Sequence, residues 1–181
     1  MEIKTTKIED LLIITPEVFK DNRGLFFEVY SENKFNKMGI NAKFVQDNHS
    51  ISLQKNVVRG LHFQTPPFSQ TKLVRVTKGV VFDVAVDLRK QSKTYGQWQG
   101  FELTEDNFLM LYIPRGFAHG FCTLEQNTEF LYKTDNFYAP DFEGAIHWDD
   151  PDLNISWPVT NPVLSNKDLK AHFFREFNSP F

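Results

Sequence analysis

The run Val80–Arg89, "VVFDVAVDLR", decides the fold class. Val80, Phe82, Val84, Val86 and Leu88 are apolar at every second position, and Asp83, Asp87 and Arg89 stand among the alternate ones. A period of two belongs to a β-strand, whose successive side chains point to opposite faces, so the run predicts a strand with one face in the core. Working outward, "KLVRVTKG" (72–79), "FLMLYIPRG" (108–116), "GFCTL" (120–124) and "TEFLYKT" (128–134) read similarly. Gly79, Gly96, Pro114 and Gly116 punctuate these runs at the spacing of an antiparallel sandwich or barrel.

Composition agrees with a sheet. The 181 residues include 19 Phe, and ring-rich interiors suit sheets better than thin helical bundles. This length is enough for one domain, 1–181, to bury a core without staples, and neither linker nor repeat divides it. A formal charge of −3 gives no global positive field for nucleic acid or an anionic membrane, although a small phosphorylated ligand needs only a few placed cations. The single Cys122 excludes an intrachain disulfide and a thiolate metal cluster, which favours a reducing compartment. The early apolar run "LLII" (11–14) is too short for a signal segment or a membrane span, so the expected location is the cytoplasm.

Helices are sparse. "SENKFNKMG" (31–39) offers Ser31 as N-cap and Gly39 as a stop. "SNKDLKAHFFREF" (165–177) offers Ser165 as N-cap with Asp168 at the third helical position, predicting a helical C-terminal segment.

Candidate chemistry begins in "VVRGLHFQ" (57–64). In a regular strand His62 shares a face with Val58, Gly60 and Gln64, and Arg59 faces the other way. His62 reads either as a core histidine with a local partner or as a titrating group. A bulge at Gly60 would turn Arg59 into the same cavity. Lys72 alternates with Val74 and Val76, which aims its ammonium along an apolar face unless it is a solvated strand end. Tyr132 has the parity of Phe130, as a core aromatic would. Tyr138 lies in a loop before Pro140, either as a binding surface or as loop packing. Asp168, three residues after Ser165, has the place of a capping-box acid. His119 in "PRGFAHGF" follows a turn, with no His-x-His and no Glu at ligand spacing, a poor basis for a metal site. "DNRG" (21–24) reads as a surface turn, with Glu28 on a strand behind it.

Together these segments resemble the dTDP-4-dehydrorhamnose 3,5-epimerases. The resemblance is carried by "DNRGLFFE", "FVQDNHS", "VVRGLHFQ", "QTKLVRV", "GVVFDVAVDLR", "YGQW", "IPRGFAHGF", "EFLYKTDNFYAP", "EGAIHWDDP", "ISWP" and "LSNKD", from about residue 10 to residue 170, with the tail "AHFFREFNSPF" left outside. It implies an all-β, cupin-type jelly-roll sandwich with a few short helices. It also implies a homodimer and an isomerase that needs neither metal nor cofactor. The implied reaction inverts C3 and C5 of dTDP-4-dehydro-6-deoxy-D-glucose to give dTDP-4-dehydro-L-rhamnose, a step in dTDP-L-rhamnose biosynthesis.

By position, the resemblance makes His62 the general base, Asp168 its orienting carboxylate and Tyr132 the acid on the opposite face of the sugar. Lys72 is implied beside the 4-keto oxygen, with His119 near the reacting ring. Arg23, Glu28, Gln46, Asp47, Asn48, Arg59, Glu143 and Lys167 are implied at the nucleotide and diphosphate, and Tyr138 as an aromatic stacked on thymine. The residue types suit the chemistry, because the hydrogens on C3 and C5 are both α to one carbonyl and a cation stabilises the enolate in a water-poor cavity. Alternatives are a sibling that inverts only C3 or only C5, a metal-dependent oxygenase and a non-catalytic sugar-binding module. The oxygenase lacks its ligand set, and the binding module does not require His62, Asp168, Lys72 and Tyr132 together.

Overall fold

Thirteen strands carry the architecture in a computed structural model that describes residues 1–181. In chain order they are β1 (Glu2–Thr5), β2 (Leu12–Thr15), β3 (Val18–Asp21), β4 (Gly24–Phe27), β5 (Gln46–Ser52), β6 (Val58–Gln64), β7 (Lys72–Lys78), β8 (Val80–Asp87), β9 (Trp98–Thr104), β10 (Met110–Ile113), β11 (Phe117–Thr123), β12 (Thr128–Thr134) and β13 (Glu143–Ala145). One helix, α1 (Glu32–Lys37), follows Ser31 and ends before Gly39, which takes a left-handed φ of +86°. No helix is long and apolar enough to cross a membrane.

A six-stranded sheet runs β1-β2-β10-β7-β12-β5, a five-stranded sheet runs β13-β6-β11-β8-β9, and β3-β4 form a separate hairpin. Every pairing between these strands is antiparallel. From β5 to β12 the chain fills the order 5-12-7-10 in one sheet and 6-11-8-9 in the other, the arrangement of a jelly roll. Consecutive strands therefore often sit in different sheets, and side chains distant in sequence meet between them.

The space between the sheets is filled by a cluster that includes Val74, Val76, Val81, Ala85, Phe121 and Phe130. Phe121 and Phe130 stack across it at a centroid distance of 4.1 Å. A second cluster joins Phe63, Val84, Val86 and Leu88 to Ile146 and Leu153, with Phe174, Phe177 and Phe181 packed against it. A third joins Ile14, Leu73 and Met110 to Phe35 of α1.

This layering corrects the reading of Val80–Arg89. Its even face, with Val84, Val86 and Leu88, belongs to the second cluster, while Val81 and Ala85 of the odd face belong to the first. Both faces are covered, and Asp83 and Asp87 are fully buried on the odd one. Alternation separates two faces but does not say what lies over each.

The helical part of the C-terminal segment is two short 3-10 turns, Asp168–Lys170 and Phe174–Glu176, joined by extended chain. Phe174 packs on Tyr95 and Phe181 lies against Phe63. An α-helix advances only about 1.5 Å per residue, whereas extended chain covers about 3.3 Å, so anchors spread over a sheet favour the extended form.

Candidate active site

The site forms where β6 departs from regular alternation. His62 pairs with His119 of β11, but the next pair is Arg59 with Phe121, so three steps on β6 oppose two on β11. The extra residue is a bulge at Gly60–Leu61, and it brings Arg59 and His62 to one cavity. Gly60 is required here. Its φ is +131°, and a Cβ would sit 2.5 Å from Gly120 Cα and 2.8 Å from the His119 carbonyl oxygen.

The cavity measures about 610 Å³ and is lined from both sheets, including Arg59, His62, Lys72, His119, Tyr132 and Asp168. The His62 Nε2 lies 2.5 Å from Asp168 Oδ1. Asp168 also accepts from the Ser165 hydroxyl at 2.8 Å, while its own N–H donates back to Ser165 Oγ at 3.1 Å. The Ser165 hydroxyl thus caps the Asp168 N–H, while the carboxylate holds that hydroxyl and the imidazole at once. Burial acts to raise the Asp168 carboxyl pKa, but the His62 hydrogen bond and charge, Ser165 and Lys167 outweigh it and leave it lowered. With Nε2–H donated to Asp168, His62 presents Nδ1 as its free lone pair.

Lys72 begins β7, and its ammonium donates to the His62 carbonyl oxygen at 3.3 Å. Burial lowers its pKa to about 8, against the opposing pull of Asp83 and Glu143. Tyr132, on β12, is half-buried, and its phenol pKa is raised by burial and then by Glu143, with Arg59 opposing. The proton therefore stays on its oxygen at neutral pH.

His119 is buried and its Nε2 lies 2.8 Å from Asp83 Oδ2. Burial lowers its pKa even though Asp83 pulls the other way. The second Asp83 oxygen, Oδ1, is buried without a hydrogen-bond partner. Periodicity hides Asp83, because alternation alone assigns its strand a polar outer face. The available signal was a carboxylate set between Val81 and Ala85 at core parity.

The remaining expected residues divide into two groups. Tyr138 and Glu143 reach the cavity, where the Tyr138 hydroxyl donates to Glu143 Oε2 at 2.9 Å and Lys167 forms an ion pair with Glu143. Gln46 is linked to the same rim, since its Oε1 accepts from the Tyr138 N–H at 3.0 Å and its Nε2 donates to Asn48 Oδ1 at 2.9 Å. Arg59 donates to Ser52 Oγ at 3.3 Å.

Arg23, Glu28 and Asp47 do not line this cavity. Arg23 is at the tip of the β3-β4 hairpin, 85% exposed, and pairs with Asp21 at 2.6 Å. Glu28 pairs with Lys34 of α1 at 2.9 Å. Asp47 is exposed and pairs with Lys133 at 2.7 Å, on the face of β5 opposite to Gln46 and Asn48. No three His, Cys, Asp or Glu side chains converge in a metal-binding arrangement.

The arrangement is a mixed acid–base site: an imidazole braced by a carboxylate, an ammonium beside it and a protonated phenol in the same cavity. Residues 5–176 match the family model described as dTDP-4-dehydrorhamnose 3,5-epimerase, so the match extends beyond residue 170 into the tail. The chain is 53% identical over 173 residues to the dTDP-4-dehydrorhamnose 3,5-epimerase of Salmonella typhimurium, covering 94% of each. It is 51% identical over 175 residues to that of Shigella flexneri, covering 96% of each. Among solved structures, it superposes with a TM-score of 0.93 and 45% identity on the dTDP-6-deoxy-D-glucose-3,5-epimerase of Legionella pneumophila in complex with dTDP-4-keto-L-rhamnose, covering 98% of this chain and 94% of that one.

Proposed function

The chain belongs to the dTDP-4-dehydrorhamnose 3,5-epimerase family, and from that premise we propose that it converts dTDP-4-dehydro-6-deoxy-D-glucose into dTDP-4-dehydro-L-rhamnose. It does so in the cytoplasm as one domain spanning 1–181. The observation that carries the mechanism is the 2.5 Å His62–Asp168 contact at a cavity shared with Lys72 and Tyr132.

The 4-keto group acidifies the hydrogens on both neighbouring carbons. His62 Nδ1 takes one of them, and Asp168 stabilises the imidazolium that results. The C–H electron pair moves into an enolate, whose oxygen is met by the Lys72 ammonium. Tyr132 then gives its proton to the opposite face of the carbon, completing inversion. The phenolate and imidazolium left behind reset through solvent. Because C3 and C5 flank the same carbonyl, one base and one acid serve both, and neither metal nor cofactor is called for.

Binding rests on Arg59 and Lys167 at the diphosphate, with His119, Gln46, Asn48 and Glu143 around the ligand and Tyr138 against thymine. Arg23 and Glu28 enter from a second copy in a homodimer, which also gives Asp47 a place at the interface. Phe19, Leu25 and Phe26 on the hairpin are exposed, as are Ile51, Leu53 and Val163 at the cavity. Two apolar patches of this kind, one on an arm and one at a site, cover each other in a dimer.

The test is turnover of dTDP-4-keto-6-deoxyglucose in deuterated water. Deuterium at both C3 and C5 is expected. Label at one carbon would mark a mono-epimerase, and its absence at both, with the ligand bound, would mark a binding module. A chelator is expected to leave the rate unchanged.

A further inference from the structure

The residues after Asp168 cross the outer face of the five-stranded sheet and fasten at several points. His172 bridges to Ile146 in parallel register, and its carbonyl oxygen accepts from the His147 N–H at 2.8 Å. The Phe174 N–H donates to the buried Asp150 at 2.6 Å. The Phe177 ring lies 4.8 Å from that of Phe63. The buried Ser179 hydroxyl donates to the Leu88 carbonyl at 2.5 Å, and the last residue, Phe181, accepts from the Lys90 N–H at 3.0 Å. Three of these anchors, at 177, 179 and 181, lie beyond the segment that matches the family model.

One support of the site, β6, lies under this strap, and the other, Asp168, lies in the turn from which the strap continues. Phe63 follows His62 in β6 and projects from the opposite face, so Phe177 presses on the strand from behind the imidazole. Asp168 belongs to the same chain segment as the strap, upstream of its first anchor at His172. We propose that residues 171–181 form a positioning strap that fixes the His62–Asp168 contact, with Phe177 as the positioning residue that acts through Phe63. Epimerisation then depends on a ring that touches neither substrate nor either member of the pair. The strap rests on the assignment of His62 as the base, but the contact it fixes is measurable without turnover.

The experiment compares full-length Phe177→Ala and Phe177→Leu with the unaltered chain. Nitrogen-15 NMR of the imidazoles reads the hydrogen-bonded His62 Nε2–H resonance, and steady-state kinetics separate kcat from KM. Phe177→Ala is expected to weaken or lose that resonance and to lower kcat about 10- to 100-fold, as a displacement of order 1 Å costs, with KM within about twofold. Phe177→Leu restores most of both. Should Phe177→Ala fail to fold, Phe181→Ala replaces it, with the same two readouts. An unshifted His62 resonance in a folded variant whose melting temperature alone falls would overturn the strap. A displaced resonance with unchanged kcat would instead overturn His62 as the base and leave the strap standing.

Discussion

His62 and His119 stand opposite each other in the ladder between β6 and β11, and each is held at Nε2 by its own aspartate, Asp168 at 2.5 Å and Asp83 at 2.8 Å. The two pairs differ in access. The His62 side chain keeps 31% of its surface exposed, whereas that of His119 keeps 7%. The proposed base is thus the accessible imidazole of the two, and the second is a fixed part of the wall.

Asp168→Asn keeps the shape of the first pair and removes its charge. It is expected to lower kcat by about 10²-fold or more, within the range of acid–base contributions, while circular dichroism stays unchanged. The stability consequence has a defined sign. The Asp168 pKa is held below its ordinary 3.8, so its contribution is present above that value and is lost as pH falls through the depressed one. Denaturant midpoints of the variant should therefore vary less with pH below about 4 than those of the parent.

As the proposed enolate partner, Lys72 is expected to set the alkaline limit. With its pKa lowered to about 8, the ammonium is lost as pH rises through that value, and kcat/KM should fall with it. Stability moves the other way, because the unfolded chain binds the extra proton between about 8 and 10.5 and folding becomes easier as pH rises. An alkaline activity loss without unfolding, absent in Lys72→Met at its lower rate, is the expected profile. Activity flat to pH 10 would exclude Lys72 as the enolate partner.

Gly60→Ala tests the bulge. A methyl group 2.5 Å from Gly120 Cα meets backbone on the paired strand, at a φ that alanine rarely adopts. Destabilisation of about 2–4 kcal/mol by urea denaturation is expected, with activity lost beyond that explained by unfolding. An alanine variant of near-parental stability would mean that β6 can relax its register.

Arg23 tests the second copy. In the proposed homodimer, refolding Arg23→Ala together with His62→Ala chains would create hybrids in which one site has both native residues. If the hairpin serves the opposite site, the mixture regains about a quarter of the parental activity, since half of the dimers are hybrids with one intact site of two. No recovery would place Arg23 with the site of its own chain.

The β-rich class was legible in Val80–Arg89, and Gly60 betrayed the bulge, because glycine inside a strand pattern marks an irregularity. The partners of His62 needed more than periodicity, since Lys72, Tyr132 and Asp168 come from three separate segments joined only by the jelly-roll order. What stayed hidden has a common cause. A sequence pattern fixes relative facing and leaves the covering layer unspecified, so Asp83 reads as solvated and nothing marks the extended chain between the two short turns of the tail. Asp47 illustrates the same limit within a single strand, where its neighbours Gln46 and Asn48 take the opposite face.

All seven residues of β11 are buried, and both its edges are paired, to β6 and to β8. Its amides have no route to solvent short of global opening, so they are expected to be the slowest in the molecule to exchange with deuterium. His119 rides on that strand. Its place in the cavity should therefore last as long as the native state itself.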